Sequence, residues 1–214
     1  MAWKHYIWDF DGTLFCSYPH MAWAFQQALR DCGLEVPADE VMKWLKLSVT
    51  AAVNHFEPQC PDCRKGALSG AYHRHESEED PTHPVRPYPG MEKVCRAVSG
   101  GGGFHYLYTH RGKSALEHME RFGLLPFFRD FITSEDAFPS KPAPDAIRHL
   151  VQKFRMEPDS AVMIGDRDID LLAARNAGIH ECLFDPDGYY GSFQAECRAK
   201  SVEELRRCLT KAAR

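Results

Sequence analysis

The sequence predicts an α/β protein with a Rossmann-like parallel sheet flanked by helices and an inserted α-helical domain. Short apolar strand candidates alternate with amphipathic helical segments along most of the 214 residues. This alternation is typical of βαβ units in a parallel sheet. Residues 16–84 interrupt it with helical patterns and no convincing strand. Polar residues follow several strand candidates, at the position where open α/β sheets bind their ligands.

The elements of the predicted sheet are short apolar runs separated by helical patterns. The strand candidates are residues 5–9, 104–109, 131–134, 161–165 and 181–184. The helix candidates are residues 90–98, 113–122, 143–154, 169–177 and 202–212. Parallel strands need crossover connections, which are usually helices, so this order favours a parallel arrangement.

The interrupting segment is predicted to be a helical domain inserted after the first strand. Its helical patterns cover residues 19–31, 38–45, 48–56 and 63–78. A proline-rich stretch at 80–89 then stiffens the return to the sheet. We therefore predict a core of residues 1–15 and 85–214 and a helical cap of residues 16–84, placed to act as a lid.

Composition limits the classes of partner. The chain has 26 basic and 30 acidic residues, a net charge of -4, so no basic surplus indicates binding to nucleic acid or to a membrane surface. No apolar run approaches about 18 residues, and residues 1–5 do not open a signal peptide. We expect a cytoplasmic protein that acts on a small molecule and carries reduced cysteines; its oligomeric state stays open.

The first strand candidate ends in two carboxylates. Asp9 and Asp11 are spaced i, i+2, and Gly12 then breaks the strand, so both side chains can point to the same side. Two anions that lie close together need a cation or a shared proton. The alternative is a polar turn, because Asp-Gly is a common turn dipeptide.

Three later segments repeat this design of polar residues after a strand. Thr109 ends the second strand candidate, Lys141 follows the third, and a cluster that contains Asp166, Asp168 and Asp170 follows the fourth. Each residue has a structural alternative, such as capping a helix, favouring a helix dipole or remaining a solvated loop cation. Their recurrence at successive strand ends favours one shared site.

Such a site has separable chemical roles. Carboxylate oxygens from two strands suit Mg²⁺, which also accepts substrate phosphate oxygens and waters. A hydroxyl, a lysine and helix N-termini bind phosphate. One carboxylate then remains to attack phosphorus through an aspartyl-phosphate.

These motifs together resemble those of the haloacid dehalogenase superfamily, in the subfamily IA-like branch with a helical cap that includes phosphoglycolate phosphatases and β-phosphoglucomutases. The resemblance rests on residues 9–13 for the first motif, Thr109 for the second, Lys141-Pro142 for the third and residues 165–170 for the fourth. Residues 89–91 match the usual return from cap to core. The four motifs occur in the family's order and span nearly the whole chain.

The resemblance implies a phosphatase that uses Mg²⁺ and hydrolyses a small phosphorylated metabolite, phosphoglycolate-like or a sugar phosphate. Asp9 would be the nucleophile and Asp11 the general acid/base. The metal ligands would be Asp9, the backbone carbonyl of Asp11, and Asp166. A phosphomutase would use the same residues, and a non-catalytic binding or regulatory protein on this scaffold is the alternative of another class.

The remaining motif residues would support this chemistry. The resemblance implies that Thr109 and Lys141 hold the phosphoryl group, and that Lys141 also offsets the clustered carboxylates. Asp170 would support the metal shell, with Asp168 as a further candidate.

Two positions depart from the family's pattern and are candidates for substrate specificity. Cys16 stands where many capped phosphatases have an aspartate, and Lys46 stands where many have a glycine. Lys46 would contact a substrate carboxylate or second phosphate, or it would be a solvated helix cation.

A pair of cysteines raises the question of a second metal. Cys60 and Cys63 form a C-x-x-C motif with His73, His75 and His83 nearby in sequence. A single C-x-x-C without a second well-spaced pair is a weak zinc signal. The pattern therefore favours ordinary thiols and surface histidines, and it leaves a metal open.

Overall fold

The structure, a computed structural model, describes residues 3–61 and 63–210. The chain divides into two compact units. The first, here called the core unit, comprises Met1–Cys16 and Arg86–Arg214, and the second, the helical unit, comprises Ser17–Val85. That the helical unit acts as a cap stays a prediction.

The strands of the described chain all lie in the core unit. They are β1 (His5–Trp8), β2 (Phe15–Cys16), β3 (Arg86–Pro87), β4 (Phe104–Tyr108), β5 (Phe128–Ile132), β6 (Ala161–Gly165), β7 (His180–Phe184) and β8 (Cys197–Ala199). Six of them form one sheet in the order β5-β4-β1-β6-β7-β8, and every neighbouring pair in it is parallel. β2 and β3 form a separate antiparallel pair. The predicted α/β parallel sheet is confirmed.

The helices follow the predicted alternation. In the helical unit they are α1 (Tyr18–Asp31), α2 (Ala38–Leu45), α3 (Val49–Phe56) and α4 (Ala67–Glu76). In the core unit they are α5 (Met91–Gly100), α6 (Ser114–Arg121), α7 (Asp145–Lys153), α8 (Asp168–Ala177) and α9 (Val202–Thr210). None of these described helices is long and apolar enough to cross a membrane.

Helices cover both faces of the sheet. The evidence is that alternate residues of the central strand β1 contact different helices. Ile7 packs in a buried cluster that includes Ile147 and Leu150 of α7. On the opposite face, the hydroxyl of Tyr6 donates to the carbonyl oxygen of Leu209 in α9, at 3.0 Å. Coverage on both faces explains why β1 is continuously buried and reads as an apolar run in the sequence.

Strand β5 lies three residues earlier than the sequence predicted at its N-terminal end. The prediction began at residue 131, whereas the strand is Phe128–Ile132. The charged residues Arg129 and Asp130 interrupt the apolar pattern from which strands are predicted, so the first part of β5 was missed. β5 is at the edge of the sheet, and there Asp130 pairs with Lys153 at 2.7 Å.

The helical unit has its own hydrophobic core. α1 contributes Phe25 and Leu29, which are fully buried together with Phe56 of α3 and Leu68 of α4. The amphipathic pattern therefore identified these helices correctly from the sequence.

One expectation about the cysteines of this unit is wrong. Cys32 and Cys63 form a disulfide, with Cα atoms 5.3 Å apart, instead of remaining free thiols. The pairing joins the end of α1 to the loop before α4. It was not readable from the sequence, because the two residues are 31 positions apart.

The contact between α1 and α4 predicts a pH-dependent stability. His75 Nε2 lies 2.8 Å from Asp31 Oδ2, and its Nδ1 lies 3.3 Å from Glu78 Oε2. Partial burial lowers the pKa of His75, but the hydrogen bonds to Asp31 and Glu78 outweigh it and raise the pKa above its ordinary value of 6.5. The stabilisation is therefore complete below about pH 6.5 and is lost as the pH rises through the raised pKa.

We expect His75→Gln to lower the free energy of unfolding more at about pH 5.5 than at about pH 8.5. Urea titrations of both proteins at the two pH values measure this difference, and the other titrating groups cancel in the comparison. Equal losses at the two pH values would contradict a charged contact with Asp31.

Candidate active site

The candidate catalytic residues follow the carboxyl-terminal ends of three adjacent strands of the sheet. Trp8 is in register with Leu107 of β4 and Ile164 of β6. Asp9, Thr109 and Asp166 follow the ends of these strands, where parallel strands lie about 4.8 Å apart. The sheet therefore gathers residues from distant parts of the chain, as the strand-end pattern predicted.

A buried lysine links two of the carboxylates. Lys141 Nζ donates to Asp9 Oδ1 at 2.6 Å, to Asp170 Oδ1 at 2.7 Å and to the carbonyl oxygen of Tyr108 at 3.0 Å. An ammonium group has three N–H donors, so protein oxygens occupy all of them. In this arrangement Lys141 holds Asp9 and Asp170 and does not have a spare donor.

Gly165 allows this contact to form. A Cβ atom at Gly165 would lie 2.2 Å from Asp170 Cβ and 2.5 Å from its Cγ. Any side chain there would displace Asp170 from the end of β6. The glycine before Asp166 is therefore required by the close approach of α8 to the strand.

Asp170 is engaged on both oxygens. Its Oδ1 accepts from Lys141, and its Oδ2 accepts from the backbone N–H of Arg167 at 3.1 Å. The second contact belongs to a capping box at the start of α8. Asp170 is thus placed to position Lys141 and the turn around Asp166.

The local charges shift the pKa values in opposite directions. Burial raises the pKa of Asp9 to about 7, against the opposing effect of Lys141, and the negative charges of Asp170 and Asp166 add to the rise. Burial also tends to raise the pKa of Asp170, but the positive charge of Lys141 outweighs burial and lowers this pKa below its ordinary value. The positive charge of Lys141 thus outweighs burial at Asp170 but not at Asp9.

Asp9 retains an oxygen that the protein does not satisfy. Its Oδ2 is buried and has no hydrogen-bond partner among the described residues. A buried carboxylate oxygen in this state is costly unless a ligand or cation completes it. Asp9 therefore offers an oxygen to a metal or to an incoming phosphorus atom.

The oxygen donors fit a hard divalent cation. Carboxylate oxygens of Asp9, Asp166 and Asp170 all lie within 4.8 Å of one another and are buried. Three carboxylates and the one ammonium of Lys141 leave a formal charge of -2 when all are ionised. An all-oxygen donor set with this charge suits Mg²⁺ better than a softer metal.

Asp11 makes a different contact, which the sequence analysis missed. Arg111 donates to the Asp11 carboxylate from Nε, at 3.1 Å to Oδ1, and from Nη2, at 3.0 Å to the same oxygen. Arg111 is 9% exposed, so this ion pair is largely shielded from water. A cation two positions after Thr109 was the available signal, but the sequence alone did not specify its partner.

Thr109 follows the end of β4, and the loop that contains Arg111 orients its side chain. It is buried, and its Oγ1 accepts from the backbone N–H of Arg111 at 3.0 Å. The hydroxyl can therefore donate its hydrogen to an anion. His110 helps to position the backbone of Lys141, since its Nε2 accepts a hydrogen bond from the Lys141 N–H at 3.0 Å.

The three remaining candidates are Asp168, Cys16 and Lys46. Asp168 accepts from the backbone N–H of Ile169 through its Oδ1 at 2.9 Å, at the start of α8. Cys16 ends β2 in the core unit, where it interacts with Tyr88. Lys46 belongs to the helical unit and is only 4% exposed, with Nζ 3.7 Å from the ring centroid of Tyr18. The solvated-cation interpretation of Lys46 is therefore excluded.

Comparison with known proteins identifies the family. The sequence model of the haloacid dehalogenase-like hydrolase family matches residues 6–184. A phosphoglycolate phosphatase of Vibrio cholerae serotype O1 is 29% identical over 186 residues, which cover 83% of this chain and 82% of that protein.

Solved structures agree with this family. A hydrolase from Streptococcus pneumoniae TIGR4 is 29% identical with a TM-score of 0.68, and the match covers 98% of this chain and 99% of that one. A subfamily IA hydrolase of the haloacid dehalogenase superfamily from Geobacter sulfurreducens PCA is 22% identical and shares the fold, with a TM-score of 0.72 over 97% of both chains. The prediction of a hydrolytic enzyme is confirmed. The chain belongs to the haloacid dehalogenase-like hydrolase family, as its four motifs predicted.

Proposed function

We propose that this enzyme is a Mg²⁺-dependent phosphoric monoester hydrolase that acts through an aspartyl-phosphate on Asp9. The observation that carries the proposal is the state of Asp9 at the strand end. Its Oδ1 is held by Lys141 at 2.6 Å, while its buried Oδ2 has no hydrogen-bond partner among the described residues. One oxygen is thus fixed and the other is available as a nucleophile.

In the first step Asp9 Oδ2 attacks the phosphorus atom. A bond forms between Oδ2 and phosphorus, the bond to the leaving oxygen breaks, and protonated Asp11 gives its proton to that oxygen. Thr109 donates its hydroxyl hydrogen to the phosphoryl group. Lys141 keeps Asp9 in the attacking orientation, because its three donors are engaged by protein oxygens.

In the second step Asp11 acts as the base. It removes a proton from a water molecule, the water oxygen attacks the aspartyl-phosphate, and inorganic phosphate leaves with Asp9 restored. The Arg111 contact serves this step by fixing the orientation of Asp11, because the guanidinium donates to its carboxylate through both Nε and Nη2.

Asp9, Asp166 and the backbone carbonyl of Asp11 would hold the Mg²⁺. When bound, Mg²⁺ supplies positive charge that offsets the developing charge of the transferring phosphoryl group. Asp170 acts indirectly, because both of its oxygens already accept hydrogen bonds.

The substrate class is a small phosphorylated metabolite, phosphoglycolate-like or a sugar phosphate. The phosphoglycolate phosphatase of Vibrio cholerae supports this choice, since the match covers 82% of that protein. The helical unit would act as the cap that selects the substrate, with Cys16 and Lys46 as specificity residues. A phosphomutase would return an isomerised substrate instead of inorganic phosphate, and a binding protein would show no turnover.

We expect Asp9→Asn to abolish turnover, because an amide keeps the shape of the side chain but cannot form an acyl phosphate. With a substrate that carries a radiolabelled phosphoryl group, wild-type protein should retain label after an acid quench and the variant should not. Melting curves of both proteins check that the variant is folded. A folded Asp9→Asn variant that still turns over would show that Asp9 is not the nucleophile.

We expect Asp166→Asn to raise the Mg²⁺ concentration for half-maximal rate by about 10–100-fold or more, the loss seen when even an indirect partner of a metal ligand is removed. Asp168→Asn is the matched control, since it removes a nearby carboxylate that contacts the Ile169 N–H. Phosphate release across a Mg²⁺ titration measures both variants. Similar titration curves for wild-type and Asp166→Asn would rule out Asp166 as a ligand.

We expect Arg111→Gln to lower the overall rate by about 100-fold, the cost of a misplaced catalytic group. The loss should fall mainly on the second step, which loses the group that orients the base. In the first step the ion pair also opposes the protonated form of Asp11, so removing Arg111 has partly compensating effects there. The labelled aspartyl-phosphate should therefore accumulate in the steady state. Arg148→Lys, at an exposed arginine that bonds the carbonyl oxygen of Asn176, should behave like wild-type. A slow variant without accumulated aspartyl-phosphate would assign Arg111 to the first step or to folding.

A further inference from the structure

We propose that Cys32, Cys60 and Cys63 form a thiolate site for Zn²⁺ in the helical unit when the Cys32–Cys63 disulfide is reduced. The site is separate from the carboxylate cluster and independent of the proposed phosphatase activity. It joins the C-terminal end of α1 to the loop between α3 and α4.

The geometry brings three sulfur atoms together from two parts of the chain. The Sγ atoms of Cys32, Cys60 and Cys63 lie within 4.8 Å of one another. Cys32 is 5% exposed and Cys60 8% exposed, and Cys63 is partly buried. A cation at this position would be largely shielded from water.

The ligand chemistry selects a soft or borderline cation. Thiolates prefer Zn²⁺ to Mg²⁺ or Ca²⁺, and a C-x-x-C pair is the spacing with which many structural zinc sites begin. Cys60 and Cys63 supply that pair, and Cys32 supplies the ligand that the sequence analysis lacked.

The backbone around Cys32 also favours a cation. Cys32 is the C-terminal cap of α1, and the aligned carbonyl groups give a helix C-terminus a partial negative charge. Gly33 follows with a φ of 76°, a left-handed conformation that turns the chain away directly after the cysteine. The helix end therefore presents Cys32 Sγ beside the C-x-x-C loop.

A disulfide alone does not account for the third sulfur. The pairing of Cys32 with Cys63 uses two of the three atoms, and Cys60 remains with a weak contact from Sγ to the carbonyl oxygen of Phe56 at 3.4 Å. Among the described residues no histidine nitrogen belongs to this cluster of sulfur atoms. His75 is instead held by Asp31 and Glu78, and His83 by Asp80. Three cysteines without a histidine define the donor set, and solvent can supply a fourth ligand.

Reduction of the disulfide precedes metal binding. A water-soluble phosphine breaks the S–S bond and becomes a phosphine oxide, whose oxygen comes from water. Two electrons pass from phosphorus to the sulfurs, and the two protons of the water give thiols at Cys32 and Cys63. Binding of Zn²⁺ then releases the protons of the coordinating thiols.

The test uses the full chain, reduced with the phosphine, freed of metal and kept without oxygen. Titration with Co²⁺ should produce a sulfur-to-cobalt charge-transfer band in the near ultraviolet that saturates at one equivalent. Added Zn²⁺ should remove the band, and competition with a chromophoric chelator gives the Zn²⁺ affinity. The band requires sulfur ligands, so Co²⁺ at the carboxylate cluster does not produce it.

Cys60→Ser is the decisive variant, because it leaves Cys32 and Cys63 able to pair. It should lower Zn²⁺ affinity by at least about 100-fold, since even the loss of an outer partner of a ligand costs about 10–100-fold. Cys208→Ser, at a partly buried cysteine in α9, should bind like wild-type. Oxidised wild-type protein should lack the band.

Three results would overturn the proposal: no charge-transfer band in reduced wild-type protein, equal Zn²⁺ affinity in Cys60→Ser and wild-type, or equal binding before and after reduction. Each would leave the cluster as a disulfide with a neighbouring thiol. None depends on phosphatase turnover, so the outcome is separate from that of the proposed function.

Discussion

The candidate site depends on one buried ammonium group. Lys141 Nζ bridges Asp9 and Asp170 at 2.6 and 2.7 Å, and its side chain is completely buried. Removing one partner of such a buried pair costs about 3–5 kcal/mol, because the other charge remains unpaired. The lysine therefore allows several carboxylates to lie together at the strand ends. Its two partners are distant in sequence, since Asp9 lies 132 residues before Lys141 and Asp170 lies 29 residues after it.

The same interaction accounts for the asymmetry between the two oxygens of Asp9. Lys141 fixes Oδ1, whereas Oδ2 is buried with no hydrogen-bond partner among the described residues. A protein selected only for stability would satisfy both atoms. The unsatisfied oxygen is thus a local cost, and it lies at the position where the proposed chemistry needs a nucleophile. Phosphoryl transfer gains most from such fixed positioning and charge neutralisation.

Much of the fold could be predicted from the sequence because its central strands are buried on both faces. β1 and β6 read as continuous apolar runs that end at Asp9 and Asp166. The edge strand β5 was displaced in the prediction, since charged residues are tolerated there. β8 and the β2–β3 pair were missed because strands of two or three residues carry little periodic signal.

The candidate site was predictable to the extent that its residues follow strand ends. The partnership of Arg111 with Asp11 spans 100 residues and depends on the side-chain geometry of two loops. The convergence of Cys32 with the C-x-x-C pair likewise depends on packing of the helical unit. The local sequence pattern predicts where a strand or helix ends and which residues lie there. Which distant side chains pair with one another is seen only in the folded chain.

The two candidate metal sites differ in the chemistry of their donors. The core unit offers carboxylate oxygens of Asp9 and Asp166, and the helical unit would offer sulfur atoms of three cysteines once the Cys32–Cys63 disulfide is reduced. Oxygen donors suit Mg²⁺, whereas thiolates bind Zn²⁺ far better. Since Zn²⁺ generally binds protein ligands more tightly than Mg²⁺ does, a sulfur site elsewhere in the chain would take the first equivalent of Zn²⁺. The carboxylate cluster would then remain available to Mg²⁺ at low Zn²⁺ concentrations, so the division of donors between the units would itself protect the proposed catalytic metal.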